Sequence, residues 1–189
     1  MELTTAQRLA DLNRRFYDDH ATAFADSRPR LHPGVKRSLA RIPAGARLLE
    51  IGCGDGKVGR WLAANAKGAS YLGLDSSAAM LERAQRVSRD WTLEIERFTQ
   101  SPIPNLQSLL TFALADLASP DWPLALPAHS FDWILAFAVF HHLPGFDSRT
   151  QILRRLAERL APGGTFVMSN WQFTRSERLE QRIVGEDRA

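Results

Sequence analysis

The chain has 189 residues, of which 44% are hydrophobic and 24% are charged. These proportions are typical of one globular domain with a sizeable core, and they exclude a disordered or fibrous chain. The net charge of +3 permits a nucleic-acid substrate but is too small to argue for one.

Cysteine content and hydropathy bear on the cellular compartment. The single cysteine, Cys53, excludes an internal disulfide and favours a reducing compartment. Residues 1–19 are polar and charged, without the apolar centre of a signal peptide. The longest apolar run, 131–140, is far shorter than the ~20 residues of a membrane span. We therefore expect a cytoplasmic protein without membrane contact.

The N-terminal region is predicted to be helical. Apolar residues at helical spacing predict one or two amphipathic helices over 4–25. A turn-rich stretch covers 27–34, and a short helix is predicted over 35–42 before Pro43 and Gly45. We interpret residues 1–45 as a helical arm or lid and residues 46–189 as the main structural domain.

From Arg47 onward, strands and helices alternate. Strands are predicted over 47–51, 70–74, 111–115, 131–137 and 165–170. Helices are predicted over 57–66, 76–87 (with Ser76 as N-cap) and 148–160. Residues 88–109 are predicted to be an irregular insertion with a short helix at 105–110, residues 119–129 a loop and residues 162–164 a turn. This alternation predicts an α/β fold with a parallel sheet.

A glycine-rich loop joins the first predicted strand to the next helix. Gly52, Gly54 and Gly56 allow a tight turn and let a ligand approach without interference from a Cβ atom. The helix that begins near Lys57 presents unpaired N–H groups to a polar ligand group. Asp75 follows the second predicted strand, about 20 residues after Gly54, the spacing at which a carboxylate accepts hydrogen bonds from ribose hydroxyls.

This order of elements predicts a nucleotide-type ligand, and two identities stay open. Residues 54–59 match the G-x-G-x-x-G fingerprint of NAD-binding proteins. Against NAD, Glu50 before the first glycine suits a cationic amino group, and Asp116 after the third strand can meet an adenine amino group. The chain is also too short for the substrate domain of most dehydrogenases. Asp116 could instead cap the following loop, and Cys53 is interpreted as a small loop residue and not as a nucleophile.

Two histidines follow the fourth predicted strand. Ligands of open parallel sheets lie beyond the carboxyl ends of the strands, so His141 and His142 border the expected ligand. Adjacent histidines point in different directions, and no further ligand cluster supports them, so we expect no metal site. An acid/base role and a packing role both remain open.

Together, residues 50–56, Asp75, residues 115–116 and residues 162–164 resemble the ordered motifs of class I S-adenosylmethionine (SAM)-dependent methyltransferases. The resemblance implies a Rossmann-like three-layer α/β/α sandwich with a mostly parallel sheet. It implies SAM as cofactor and S-adenosylhomocysteine as product. The loop would wrap the methionine half, Asp75 would hold the ribose, and Glu50 would orient the loop or the amino group through water. The cofactor-binding residues implied are Glu50, Gly52, Cys53, Gly54, Gly56, Asp75, Ser76, Asp116, Leu117, Phe137, Tyr17 and Arg28, with His141 and His142 as catalytic candidates.

Tyr17 and Arg28 belong to the N-terminal arm. In a methyltransferase they would lie over SAM, with Arg28 able to pair with the methionine carboxylate. The alternative is a helix whose aromatic side chains pack on the sheet and whose arginines are solvated. Basic side chains of this arm could likewise meet tRNA phosphates or serve only solubility.

A closer similarity links the chain to the wobble-uridine carboxymethyl tRNA methyltransferases and their bacterial relatives. It rests on residues 134–143, Arg149, residues 162–164 and the arm positions 16–18, Phe24, 27–28 and 32–33. It implies transfer to a carboxymethyl group of tRNA. A carboxylate is already a nucleophile at neutral pH, so positioning and desolvation would supply most of the rate.

Two departures from that family bear on whether its substrate can be assigned to this chain. The segment 88–109 is longer than the usual connection, and the chain ends soon after residues 171–173, where the family continues into two further strands. We therefore expect a sheet truncated after its fifth strand. The sequence predicts a SAM-dependent methyltransferase acting on an oxygen or nitrogen nucleophile. A tRNA acceptor, a small-molecule acceptor and a non-catalytic SAM-binding partner subunit all remain open.

Overall fold

The computed structural model describes residues 4–65, 68–99 and 109–171, with side chains described except at residues 95–99. The strands are β1 (Arg47–Ile51), β2 (Ser70–Asp75), β3 (Leu110–Leu114), β4 (Phe131–Phe137) and β5 (Leu160–Ser169). The helices are α1 (Thr5–Asp26), α2 (Pro33–Leu39), α3 (Lys57–Asn65), α4 (Ala78–Thr99) and α5 (Phe146–Ala157). Single 3-10 turns cover Trp122–Ala125 and Phe140–His142.

All strand pairs in the sheet are parallel, in the order β3-β2-β1-β4-β5. At the centre, Leu49 of β1 is in register with Leu72 of β2 on one side and with Ile134 of β4 on the other. The chain reverses its direction of winding between β1 and β4. In doubly wound sheets, ligands bind at the carboxyl ends of the strands at this switch point. The predicted α/β fold is confirmed.

Two apolar cores cover the two faces of the sheet. Leu48 and Leu135 pack on one face with Leu62 of α3, whereas Leu49 and Ile134 pack on the other face in the core that contains α5. Alternate residues of β1 thus enter opposite cores, because successive side chains of a strand point to opposite faces. The result is the predicted three-layer arrangement. Among the described helices, none is both long and apolar enough to cross a membrane.

The prediction of an irregular segment from residue 88 is wrong up to residue 99, because α4 continues without interruption to Thr99. Trp91, Leu93 and Ile95 alternate, which suggested a departure from helix. However, Trp91, Ile95 and Phe98 are also spaced four and three residues apart, and the segment contains no proline or glycine before Pro102. Of the short helix predicted at 105–110, residues 105–108 lie outside the described residues, and Leu110 begins β3.

The N-cap of α4 is Ser77 and not Ser76, because the Ser77 hydroxyl accepts a hydrogen bond from the Met80 amide at 3.2 Å. The predicted turn at 162–164 lies inside β5, where the pairing with β4 shifts register between Phe131 and Trp133. The N-terminal residues form one helix, α1, which agrees with the prediction of one or two helices over 4–25. The remaining predicted elements occur with boundaries displaced by a few residues.

Helix α1 is attached to the sheet through the start of α4. The Asp18 carboxylate accepts hydrogen bonds from the Ser77 hydroxyl at 2.6 Å and from the Ala79 amide at 3.4 Å. Asp26 and Arg83 form a second link, an ion pair between the same two helices. A carboxylate at a helix N-terminus satisfies an unpaired N–H group and interacts favourably with the helix dipole. Asp18 therefore caps α4 from a different helix.

We expect Asp18→Ala to lower the free energy of unfolding by about 1–2 kcal/mol, the usual cost of losing a helix cap. Asp19→Ala is the matched control, because Asp19 is the exposed neighbouring acid, and it should change stability by less than ~0.5 kcal/mol. Urea unfolding followed by circular dichroism measures both. Equal stabilities of the two variants would contradict the capping role of Asp18.

Candidate active site

A cavity of about 340 Å³ lies at the carboxyl ends of β1, β2 and β4, and α1 forms part of its wall. All the predicted site residues except Gly56 and His141 line it: Tyr17, Arg28, Glu50, Gly52, Cys53, Gly54, Asp75, Ser76, Asp116, Leu117, Phe137 and His142. The topological switch point of the sheet therefore carries a crevice that gathers most of the residues singled out in the sequence.

The glycine loop forms the floor of this cavity. Gly52 and Gly54 have positive φ angles of 66° and 55°, which glycine adopts readily and other residues rarely do. A Cβ atom on Gly52 would lie 2.5 Å from the Val139 side chain, whereas one on Gly54 would meet no atom within 4 Å. Gly52 thus permits close packing of the loop, and Gly54 leaves space open on the cavity side.

Gly56 serves helix packing and does not line the cavity. Its φ angle is 74°, and a Cβ atom there would lie 2.8 Å from the Phe112 ring. The third glycine of the motif therefore brings α3 close to the sheet, a role distinct from the predicted contact with a cofactor.

Asp75 fastens the loop to the end of β2. One carboxylate oxygen accepts a hydrogen bond from the Gly54 amide at 2.7 Å, and the other accepts one from the Ser77 amide at 2.9 Å. Burial raises the pKa of Asp75, and these backbone hydrogen bonds oppose that rise. Each carboxylate oxygen can accept a second hydrogen bond, so Asp75 retains capacity for ligand hydroxyl groups.

Glu50 is a second buried acid at the cavity, with 3% of its surface exposed. The Tyr71 hydroxyl donates a hydrogen bond to its Oε2 atom. Burial raises the pKa of Glu50 to about 8, the Tyr71 hydrogen bond opposes this, and the charges of Asp75 and Asp55 add to it. A cation in the cavity would relieve this repulsion and favour the ionised carboxylate.

Asp55 and Lys57 surround the start of α3. The Lys57 ammonium group lies 3.1 Å from the Asp55 carboxylate and donates a hydrogen bond to the Ala25 carbonyl at 3.3 Å. Lys57 lines the cavity and links α3 to the end of α1. This pairing places a cation beside the glycine loop.

Asp116 has two partners in the structure. Its carboxylate accepts a hydrogen bond from the Ala118 amide at 2.9 Å, the local capping role left open by the sequence. It also pairs with Arg14 of α1 at 3.4 Å. Asp116 lines the cavity as well, so capping and ligand contact are compatible at this residue.

Tyr17 of α1 and Arg28 of the following turn both line the cavity. The Tyr17 hydroxyl lies 3.0 Å from His142 Nε2, and burial together with the nearby Asp75 charge raises the pKa of Tyr17. The Arg28 guanidinium lies 4.1 Å from the centre of the Phe24 ring, a cation–π contact. Both positions agree with a wall that α1 contributes to the ligand site.

The two histidines have different environments. His142 lines the cavity, and burial followed by the nearby His141 charge lowers its pKa, so it is neutral and able to accept a proton near pH 7. His141 does not line the cavity. Its ring is stacked on Trp171 at 5.3 Å, and burial lowers its pKa. The geometry thus favours His142 over His141 for a role in chemistry.

Cys53 is 7% exposed, and burial raises its pKa well above the ordinary value. A buried thiol that stays protonated is a poor nucleophile, in agreement with its interpretation as a small loop residue. Among the described residues, no group of three or more His, Cys, Asp or Glu side chains is arranged to hold a metal ion.

Three site residues had no recognisable signal in the sequence. Asn13 lines the cavity and donates a hydrogen bond to the His142 carbonyl at 3.1 Å, a contact between segments far apart in the chain. Lys57 was noted only as the start of a helix. Tyr71 reaches Glu50 from the neighbouring strand, and finding it would have required the strand register as well as the alternation of β2 side chains.

Comparison with known proteins identifies the domain. A family model described as "Methyltransferase domain" matches residues 49–166. A trans-aconitate 2-methyltransferase from Methylobacterium nodulans is 35% identical over 86% of this chain and 53% of its own length. The tRNA (carboxymethyluridine(34)-5-O)-methyltransferase of Saccharomyces cerevisiae is 22% identical over 88% of this chain and 50% of its own length. The chain thus spans about half the length of these two relatives.

Solved structures share the fold. A Haloferax volcanii methyltransferase, solved in complex with the Trm112 methyltransferase activator, superposes with a TM-score of 0.62 at 21% identity, covering 92% of this chain and 68% of that chain. A SAM-dependent methyltransferase from Thiobacillus denitrificans, solved with S-adenosyl-L-homocysteine, has a TM-score of 0.52 at 19% identity, covering 89% of this chain and 56% of that chain.

We expect Gly52→Ala to destabilise the protein more than Gly54→Ala. Both place a Cβ atom at positive φ, which costs roughly 1–2 kcal/mol, but only the Gly52 variant also forces Val139 to move. That overpacking should add about 1–3 kcal/mol. Urea unfolding of the two variants measures the difference, and equal losses would contradict the tight packing assigned to Gly52.

Proposed function

The chain belongs to the methyltransferase domain family, and from that premise we propose that it transfers a methyl group from SAM to an oxygen or nitrogen nucleophile. The observation that carries this proposal is the cavity at the switch point, which gathers the glycine loop, Asp75, Glu50 and Asp116. Family membership also favours SAM over NAD as the ligand of the glycine motif.

The residues present fit this cofactor. The open space at Gly54 admits a ligand close to the backbone, and Asp75 has capacity to accept hydrogen bonds from ribose hydroxyls. Glu50 offers a buried carboxylate to the amino group, and Asp116 with Leu117 lines the side proposed for adenine. SAM supplies a methyl group already made electrophilic by its sulfonium. The protein therefore needs chiefly to orient the acceptor and to exclude water.

Helix α1 is proposed to act as a lid over the cofactor. Asn13 and Tyr17 of α1 line the cavity and both reach His142. The two contacts close one side of the cavity, as exclusion of water from methyl transfer requires.

The acceptor is proposed to carry a carboxylate. The names of the relatives specify trans-aconitate in one case and a carboxymethyl group of tRNA in the other. A carboxylate at neutral pH needs no general base, so the protein's contribution would be positioning.

A tRNA acceptor is supported by a basic segment beside the cavity. Residues 27–46 contain no acidic residue and have five exposed basic side chains: Arg28, Arg30, Lys36, Arg37 and Arg41. Arg28 also lines the cavity, so the basic surface continues to its mouth. Such a surface attracts phosphate groups of nucleic acid.

Incubation with isotopically labelled SAM, total tRNA and small carboxylic acids, followed by mass spectrometry, identifies the acceptor. Label in tRNA that is lost in Lys36→Glu/Arg37→Glu but retained in Arg154→Glu would support the RNA acceptor. Arg154 is an exposed arginine on α5 and serves as the control. Label only in small acids would support the small-molecule alternative. Binding of SAM without transfer to any acceptor would support a non-catalytic subunit.

We expect Asp75→Ala to weaken S-adenosylhomocysteine binding on the order of a hundredfold or more, because hydrogen bonds to a charged carboxylate are lost together with the loop attachment. Asp121→Ala, an exposed acid outside the cavity, is the control and should bind normally. Isothermal titration calorimetry on folded protein measures both. An unchanged affinity of Asp75→Ala would refute the proposed cofactor site.

A carboxylate acceptor needs no base, but for the alternative acceptors, a hydroxyl or an amine, His142 is proposed to act as general base. We then expect His142→Gln to lower kcat about a hundredfold, and the wild-type rate to rise with pH through a pKa below 6.5 and then level off. His141→Gln should have a smaller effect, because His141 does not line the cavity. Steady-state rates from pH 5 to 9 test this. A pH-independent rate unaffected by His142→Gln would exclude the base role.

A further inference from the structure

We propose that Tyr71 is a positioning residue for the cofactor amino group: its hydroxyl holds the buried Glu50 carboxylate toward the cavity. This inference rests on the proposed function, since it assumes that the cavity receives SAM. It assigns a role to a side chain that does not line the cavity and that acts through another residue.

The strand register makes the contact between Tyr71 and Glu50 possible. Glu50 of β1 is in register with Gly73 of β2, and Tyr71 lies two residues earlier on the same face of β2. Because Gly73 has no side chain, the Tyr71 ring can extend across it toward Glu50. A Cβ atom on Gly73 would lie 2.8 Å from the Tyr71 hydroxyl oxygen, directly in its path.

A second glycine completes the slot for the ring. A Cβ atom on Gly59 of α3 would lie 2.8 Å from the edge of the Tyr71 ring. Phe112 contacts the ring edge-to-face at 5.9 Å between centroids, and Tyr71 is only 2% exposed. The ring therefore has little freedom to move, and its hydroxyl is fixed at one carboxylate oxygen of Glu50.

Among the described side chains and backbone amides, Tyr71 alone donates a hydrogen bond to the Glu50 carboxylate. It occupies Oε2, which leaves Oε1 for a donor in the cavity that Glu50 lines. The charged groups that act on Glu50 are Asp75 and Asp55, and the Cys53 thiol interacts with it as well. The Lys57 ammonium group, which also lines the cavity, is paired with Asp55. A positively charged ammonium group is the ligand group that this environment favours most.

The Tyr71 hydrogen bond favours the ionised form of Glu50, which an ammonium group needs as its partner. Replacing Tyr71 by Phe keeps the ring in its slot but removes the donor. The Glu50 pKa should then rise above its value of about 8. More of the binding free energy would be used to ionise Glu50, so ligands with the α-amino group of an amino acid should bind more weakly near pH 7.

A comparison of two ligands distinguishes this positioning role from a purely structural role of Tyr71. We expect Tyr71→Phe to weaken S-adenosylhomocysteine binding about tenfold, the equivalent of one hydrogen bond to a charged group. Binding of 5′-methylthioadenosine, which has the adenosine moiety but lacks the α-amino group of the amino acid, should be unchanged. Isothermal titration calorimetry gives both affinities. An equal loss for the two ligands, or no loss for either, would overturn the inference.

A double-mutant cycle tests whether Tyr71 acts through Glu50. In a Glu50→Gln background, Tyr71→Phe should cause no further loss of S-adenosylhomocysteine affinity; a full additional loss would contradict the inference. Thr92→Val removes another buried hydroxyl hydrogen bond, from Thr92 to the Ser88 carbonyl at 2.9 Å, and neither residue lines the cavity. This control should lower stability but not affinity. Wild-type protein that binds neither ligand would instead refute the proposed function itself.

The pH dependence gives an independent measurement. In the wild type, S-adenosylhomocysteine affinity should increase as pH rises toward about 8, because Glu50 becomes ionised without help from the ligand. In Tyr71→Phe the same increase should occur at higher pH, and in Glu50→Gln it should be absent. The variants leave Arg60, which lies near Tyr71, and the other charged residues around Glu50 in place, so these residues are common to all three pH profiles. Superimposable profiles of wild type and Tyr71→Phe would overturn the inference.

Discussion

The attachment of the glycine loop to the Asp75 carboxylate is the interaction on which the site depends. The Asp75 carboxylate, at the end of β2, accepts hydrogen bonds from the Gly54 amide in the loop after β1 and from the Ser77 amide at the start of α4. Two crossovers of the sheet are thereby fixed relative to each other at its carboxyl edge. Burying a carboxylate is unfavourable unless hydrogen bonds compensate for lost water, and here backbone amides do so. The cavity wall is thus set before any ligand binds.

Electrostatics then restricts what the cavity can bind. Glu50 and Asp75 are buried, Asp55 lies close by, and burial raises the pKa of the first two. Lys57 and Arg60 form ion pairs with Asp55, and all three acids line the cavity. A ligand with a cationic group lowers the free energy of this arrangement, whereas a pyrophosphate would raise it. The repulsion among these buried carboxylates, which is unfavourable in the empty cavity, therefore favours a nucleoside with a cationic amino acid group over a dinucleotide.

The parts of this site that the sequence predicted are those in which one short segment determines the geometry. The strand–glycine–helix order predicts the loop, and the strand ends place Asp75 and Asp116 at one edge because parallel strands share their carboxyl edge. Contacts between distant segments were not predictable, since they depend on register and helix docking: Tyr71 with Glu50, and Asn13 with the His142 carbonyl. The length of α4 was missed because alternation and helical spacing coincide in residues 91–98.

The contacts of α1, the proposed lid, connect it to the residues proposed to hold the cofactor. Arg14 pairs with Asp116, and Asp18 binds Ser77, whose amide is held by Asp75. Docking of α1 and binding of a ligand therefore involve the same strand ends, and any coupling between the two is reciprocal by linkage. A ligand that strengthens the Asp75 contacts stabilises the start of α4 and with it the Asp18 cap. A ligand group that bonds to Asp116 instead competes with Arg14. If α1 acts as the proposed lid, the balance between these two effects sets how firmly it closes over the cavity.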